Sequence, residues 1–228
     1  MSGPHPLDHP IWTALTTRQQ CLAEGGERAR RFPLTHTPFA AIADTSRDSF
    51  DALRALMAPN DHAVLFTVDP VEPLPPFKVL SVRTGEQMIG APADVRGPLP
   101  EIVTLGAPDV AEMTALVELT KPGPFASRTH ELGTFLGIRI DGRLAAMTGE
   151  RMKPGNYTEM TAVCTHPDFR GRGYAQVLLA AVARQIEARG EVPFLHVFSD
   201  NTSAIALYHR QGMEIRRRIY VTVLGLTP

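Results

Sequence analysis

The sequence predicts an α/β protein with a mixed sheet, and three features carry that expectation. Short runs rich in β-branched and aromatic residues, such as "AVLFTV" and "YTEMTAVCT", have the composition of strands. Elsewhere apolar residues recur at helical spacing, as in the stretch holding Leu178, Leu179, Val182 and Ile186. In the second half the two kinds follow the order strand, strand, strand, helix, strand, helix, strand. At 228 residues and 43% hydrophobic content, the chain can bury a sizeable core, as one large domain or two small ones.

In the first half, a helix is expected with Phe50, Leu53, Leu56 and Met57 on one face, stopped by Pro59. Strands follow at "AVLFTV" and "FKVLSV", and the proline-rich runs "DPVEPLPP" and "APADVRGPLP" read as loops. A further helix starts near Pro108 and runs to about Leu119, because proline suits a first helical turn and Asp109 suits the dipole there. Trp12 and the other aromatic residues of this half read as core.

In the second half, "GIRI" and "LAAMTGERM" flank Asp141-Gly142, a dipeptide suited to a two-residue hairpin turn. "KPGN" marks another reversal, so "YTEMTAVCT" becomes the third of three antiparallel strands. The helix after the glycine turn stops at Gly190, and "FLHVF" is the next strand. Asn201 caps a helix carrying Ala204, Ile205, Leu207 and Tyr208, which ends near Gly212 before a last strand through "IYVTVL".

A formal net charge of -1 provides no basic surplus for nucleic acid. Cys21 and Cys164 have neither CxxC spacing nor a histidine cluster, so no disulfide framework or metal site is expected, and a reducing cytoplasm fits the chain. The N-terminal "MSGPHPLDHP" lacks the pattern of an export signal, and no apolar run is long enough to span a membrane. A homodimer is left open.

The stretch that asks for an explanation is "THPDFRGRGYAQVLL". Glycines at 171 and 173 let the backbone take conformations closed to other residues and approach a ligand closely. Where a helix begins, such a turn aims unpaired N–H groups and the positive end of the dipole at one point, which suits an anion. Arg170 and Arg172 add charge with a geometry that matches phosphate oxygens. Taken alone, RGRG reads equally as a solvated tight turn. A Walker loop is excluded because Gly-Tyr-Ala stands where Gly-Lys-Ser/Thr is needed, and a dinucleotide fingerprint because Gln176 occupies its third glycine position.

The pattern from Arg170 to Ala175, Arg-x-x-Gly-x-Ala, is followed by "HVFSDNTSAIALYHRQGM". Together these segments closely resemble the acyl-coenzyme A binding half of the GNAT superfamily of N-acetyltransferases, matching its pyrophosphate loop and its Asn-x-x-Ala-x-x-x-Tyr helix. The resemblance covers roughly residues 132–224. Weaker similarity around "HELGTFLGIRIDGRLAAMTGERM" points to the subgroup whose C-terminal half is like glycine N-acyltransferases. It implies a GNAT fold with a catalytic domain at 121–228 and an N-terminal lobe at 1–120, either a degenerate second copy or an acceptor-binding elaboration.

The resemblance also implies acetyl-coenzyme A as cosubstrate, a primary amine as acceptor, direct transfer in a ternary complex, and no metal. Backbone amides of Gly171, Arg172, Gly173, Tyr174 and Ala175 would hold the pyrophosphate, with Arg170 beside them and Asn201 opening the next helix. Val163 and Thr165 would pair with pantetheine through their backbones, and an N–H near Val163 would polarise the thioester carbonyl. Tyr208 matches the tyrosine that protonates the departing thiolate, although a phenol near pKa 10 is a weaker acid than a thiol near 8.5; by spacing alone it reads as core. Glu159 is the candidate base, with His166 and Glu131 as competitors, and an exposed strand glutamate is the plain reading. His130 and His196 read as structural or surface residues, and Cys164 as packed. Phe125, Arg128, His130, Glu131 and Arg151 are acceptor-site suspects. The rival readings are a catalytically silent acyl-coenzyme A binding module and a protein-interaction fold.

Overall fold

The computed structural model describes residues 5–90, 92–93, 95 and 99–227; part of the loop expected at 91–100 lies outside them. In chain order the elements are α1 (Pro10–Thr16), β1 (Glu24–Gly25), β2 (Ala29–Arg31), β3 (Ala40–Ile42), α2 (Arg47–Ala55), β4 (His62–Thr67), β5 (Phe77–Ile89) and β6 (Val103–Leu105). They continue as α3 (Val110–Thr120), β7 (Phe135–Ile140), β8 (Arg143–Glu150), β9 (Tyr157–Thr165), α4 (Tyr174–Ala188), β10 (Val192–Phe198), α5 (Thr202–Arg210) and β11 (Glu214–Leu226).

The strands β1–β3 form a small sheet, and the other strands form one eight-stranded sheet in the order β4-β11-β5-β10-β9-β8-β7-β6. Among the described strands the β9–β10 pair alone is parallel, which makes the sheet mixed as expected. The β7–β8 hairpin turns at Asp141 (φ 49) and Gly142 (φ 78), the positive angles that Asp-Gly supplies. Asn201 caps α5 by accepting a hydrogen bond from the Ala204 N–H at 3.2 Å.

Residues 1–120 and 121–228 do not form separate sheets. Strands β4, β5 and β6 come from the first half, and β5 lies between β10 and β11. The strand expected at "FKVLSV" continues through the polar "RTGEQ" to Ile89. Its acidic and amide side chains are buried but satisfied: Glu86 accepts from Ser199 and Arg218, and Gln87 contacts Leu7, His196 and Arg216. Partnering from distant strands overrides local propensity here.

Candidate active site

Strands β9 and β10 pair only at their first residues, Tyr157–Glu159 against Val192–Phe194. Beyond Glu159 each remains bonded to its outer neighbour, β9 to β8 and β10 to β5, so their inner edges part. Within the parted stretch β9 carries a bulge: Met147 faces Cys164 and Gly149 faces Thr161, leaving an extra residue on β9, and Ala162 takes a positive φ of 51. A bulge turns the local backbone off its ladder, which frees it to face a ligand.

The parted strands open a cleft of about 1070 Å³. Its lining belongs to both faces of the sheet. Leu195, Val197 and Tyr208 belong to the core beneath α4 and α5, whereas Phe39, Val64, Phe66 and Val221 belong to the core under α1. The cleft therefore runs through the sheet, which gives two reactants separate approaches to one point.

On the α4 side, Gly171 and Gly173 have φ of 76 and 77. A Cβ built on Gly171 meets nothing within 4 Å, so the turn borders open space. Gly173 is the N-cap of α4; no side chain caps that helix and no acidic residue stands in its first turn, which leaves its N–H groups directed outward. Arg170, Arg172 and Arg210 line the same cleft, and none of its described lining residues is Asp or Glu. Phosphate oxygens fit this set of donors. An acyl-coenzyme A thus matches the residues present: a pyrophosphate at the turn and a pantetheine along the open edge of β9. Val163, Thr165, Tyr174, Ala175 and Asn201 line the cleft as well.

Tyr208, buried on α5, also lines the cleft, and no hydrogen bond from its hydroxyl to the protein is present among the described residues. Burial pushes its phenol up to about 12, so it stays protonated throughout the neutral range. Cys164 is packed as expected, with burial pushing its thiol up to about 12.

Glu159 corrects the sequence reading. It has no exposed surface and does not line the cleft. Arg151 donates from Nε and Nη2 to its two oxygens at 2.9 Å each, and His196 Nδ1 lies 2.8 Å from Oε1. Burial alone raises this carboxyl, but the Arg151 charge and these hydrogen bonds prevail and hold it at about 2. A carboxylate so acidic and so fully occupied is no proton acceptor for an amine. His196 is not free either. Arg216 donates to Gln87 Oε1, which turns Gln87 Nε2 toward His196 Nε2 at 3.1 Å, and the resulting network assigns the imidazole N–H to Nδ1, toward Glu159.

Because its folded value lies below the ordinary 4.5, Glu159 contributes stability that is complete above that pH and lost as pH falls toward 2. The expected result is a urea midpoint that drops between pH 5 and pH 3, with a smaller drop in Glu159→Gln.

The competing bases lie outside the cleft. His166 accepts from the Asp168 N–H at 3.2 Å and caps a short turn, and Glu131 pairs with Arg128 at 2.7 Å on the surface. Among the acceptor-site suspects only Arg151 lines the cleft; Phe125 packs edge-on against Phe135. Spacing did not reveal Phe39, Phe66, Val221, Val223 and His196, which reach the cleft from four separate segments. The Arg151–Glu159 pair did leave a signal, since opposite charges flank the "KPGN" reversal and meet across it.

Fold and site define an acyl-coenzyme A dependent transferase, and comparison with known proteins makes the class specific. Residues 135–221 match the family model described as FR47-like protein. The chain is 33% identical over 138 residues to N-alpha-acetyltransferase RimI of Mycobacterium tuberculosis, covering 53% of this chain and 85% of that protein. It is 34% identical over 94 residues to the [ribosomal protein bS18]-alanine N-acetyltransferase of Salmonella typhimurium, covering 40% and 63%. A crystal structure described as a GNAT-family acetyltransferase from Novosphingobium aromaticivorans superimposes with a TM-score of 0.88 at 44% identity, over 99% of this chain and 100% of that one. A GCN5-related N-acetyltransferase from Kribbella flavida shares the fold, with a TM-score of 0.64 at 16% identity over 96% of each chain. The chain belongs to the GNAT superfamily of N-acetyltransferases, enzymes that take acetyl from acetyl-coenzyme A and pass it to an amine.

Proposed function

We propose that the protein acetylates a primary α-amine by direct transfer, with acetyl-coenzyme A entering from the α4 face and the acceptor from the α1 face. The observation that carries this reading is the cleft through the sheet, cationic and glycine-turned on one side and apolar on the other. The relatives named for N-alpha and ribosomal alanine acetylation support an α-amine as acceptor.

Acetyl-coenzyme A supplies the activated acetyl thioester. The backbone at the β9 bulge, near Val163, donates a hydrogen bond to its carbonyl oxygen. As the C–N bond forms and the C–S bond breaks, Tyr208 donates a hydrogen bond to the departing sulfur. With a phenol at about 12 against a thiol near 8.5, complete proton transfer is uphill, so Tyr208 stabilises the sulfur as thiolate. The amine proton leaves to water. Neither Glu159 nor His196 takes it, and a cleft with cations but no carboxylate among its described lining residues favours an amine that arrives neutral.

Tyr208→Phe tests the assignment. A hydrogen bond to a charged group is worth about 1.5–3 kcal/mol, so kcat should fall roughly 10- to 100-fold with acetyl-coenzyme A affinity unchanged. An unaltered kcat in a chemistry-limited reaction would return Tyr208 to the core.

A further inference from the structure

The acceptor side of the cleft is specific enough to name a substrate class, on the reading of the site given above. Val64 and Phe66 on β4 pair across strands with Val223 and Val221 on β11, and the four line one continuous apolar floor. Phe39 closes it, with its ring 4.8 Å from that of Phe66. Phe66 in turn meets the His196 ring edge-on at 4.8 Å.

Arg151 brings a charged group to this floor. The Arg151 guanidinium lies 4.5 Å from the centre of the Phe39 ring. Its Nε and Nη2 are taken by Glu159, while Nη1 bonds no protein group among the described residues. His196 has both nitrogens engaged. Arg151 Nη1 is therefore a hydrogen-bond donor beside this apolar floor, and Lys121 adds a second cation to the lining of the same cleft. With no carboxylate among the described lining residues, a second ammonium on the acceptor would lose its water without gaining a counterion.

We propose that the acceptor is a hydrophobic α-amino compound: a primary amine whose α-carbon bears an aromatic or branched apolar side chain and a carbonyl or carboxylate oxygen, with no second positive charge. The side chain rests on the floor between Phe66 and Val223, and the oxygen accepts from Arg151 Nη1. Amines with a second cationic group, such as polyamines and lysine derivatives, are rejected.

The test measures thiol release from saturating acetyl-coenzyme A against L-phenylalaninamide, L-leucinamide, glycinamide, phenethylamine, L-lysinamide and spermidine. A hydrophobic pocket discriminates by about 10- to 200-fold per methylene, so kcat/KM for phenylalaninamide should exceed that for glycinamide at least tenfold. Phenethylamine, which lacks the oxygen, and both dicationic amines should fall below phenylalaninamide. Free L-phenylalanine and the tripeptide Phe-Gly-Gly then tell whether a carboxylate or a peptide carbonyl meets Arg151. Val223→Phe, which fills the floor, should erase most of the preference for phenylalaninamide while calorimetry shows unchanged acetyl-coenzyme A affinity. Equal or better turnover of glycinamide, lysinamide or spermidine overturns the proposal and leaves the acetyltransferase reading standing. So does coenzyme binding with no turnover of any apolar amine, or a preference that Val223→Phe does not move. A wild-type protein that does not bind acetyl-coenzyme A overturns the active-site reading itself.

Discussion

Glu159→Gln is expected to destabilise the protein by about 3–5 kcal/mol, the cost of removing one member of a buried ion pair. The effect originates in Arg151, which is buried beside Phe39 and has no other carboxylate partner among the described residues. Glutamine can accept one of its hydrogen bonds but cannot balance its charge, and His196 loses a charged acceptor as well. Urea unfolding at pH 7 measures the loss. The double variant Arg151→Met, Glu159→Leu, which removes both charges together, should recover much of it, because paired burial of ions is itself costly. A variant that keeps full stability but loses the acidic limb of the kcat/KM profile would restore Glu159 to the role of base.

Gly173→Asp should abolish the stabilisation that acetyl-coenzyme A confers, which at about a hundred times Kd amounts to roughly 2.7 kcal/mol. Two effects act in the same direction. The residue sits at a φ of 77, where a side chain is strained, and a carboxylate would stand at the helix end where the pyrophosphate is proposed to sit. Gly173→Ala separates them, since it adds the strain without the charge. Calorimetry should find weak binding for alanine and none for aspartate; full affinity in both would remove the phosphate from this turn. Desulfo-coenzyme A should stabilise the wild type as well, since the proposed binding mode relies on pyrophosphate at this turn and pantetheine along β9.

Much of this architecture was legible before any coordinates, and the legible parts share a cause. Asp141-Gly142, the 171–173 turn and the Asn201 cap are local: a few adjacent residues determine the backbone and announce the element. The glycine-turn side of the cleft is built from such segments. The acceptor side is not. Val64, Phe66, Val221 and Val223 meet only because β4 pairs with β11, Phe39 joins them through a bridge to Val64, and nothing in these segments names the others. Glu159 was misread for a related reason. Strand alternation shows that a residue points to one of two faces, but not what waits there, and here it is a buried guanidinium. The second half of β5 was missed because polar residues such as Glu86 and Gln87 tolerate a sheet interior only when distant donors reach them.

The position of β5 has a consequence for how the chain folds. Its partners on both sides, β10 and β11, lie far along the sequence, and its register with β11 runs from Phe77 to Ile89. Its ladder partners are all distant in sequence, so the entropy of closing a very long loop must be met before the central ladder forms. Folding should accordingly be slow for a protein of this size, and refolding with β11 removed should leave a chain that collapses without acquiring a cleft. Because the cleft opens between β9 and β10, and β10 is bonded to β5, binding of coenzyme is expected to report on a completed central ladder.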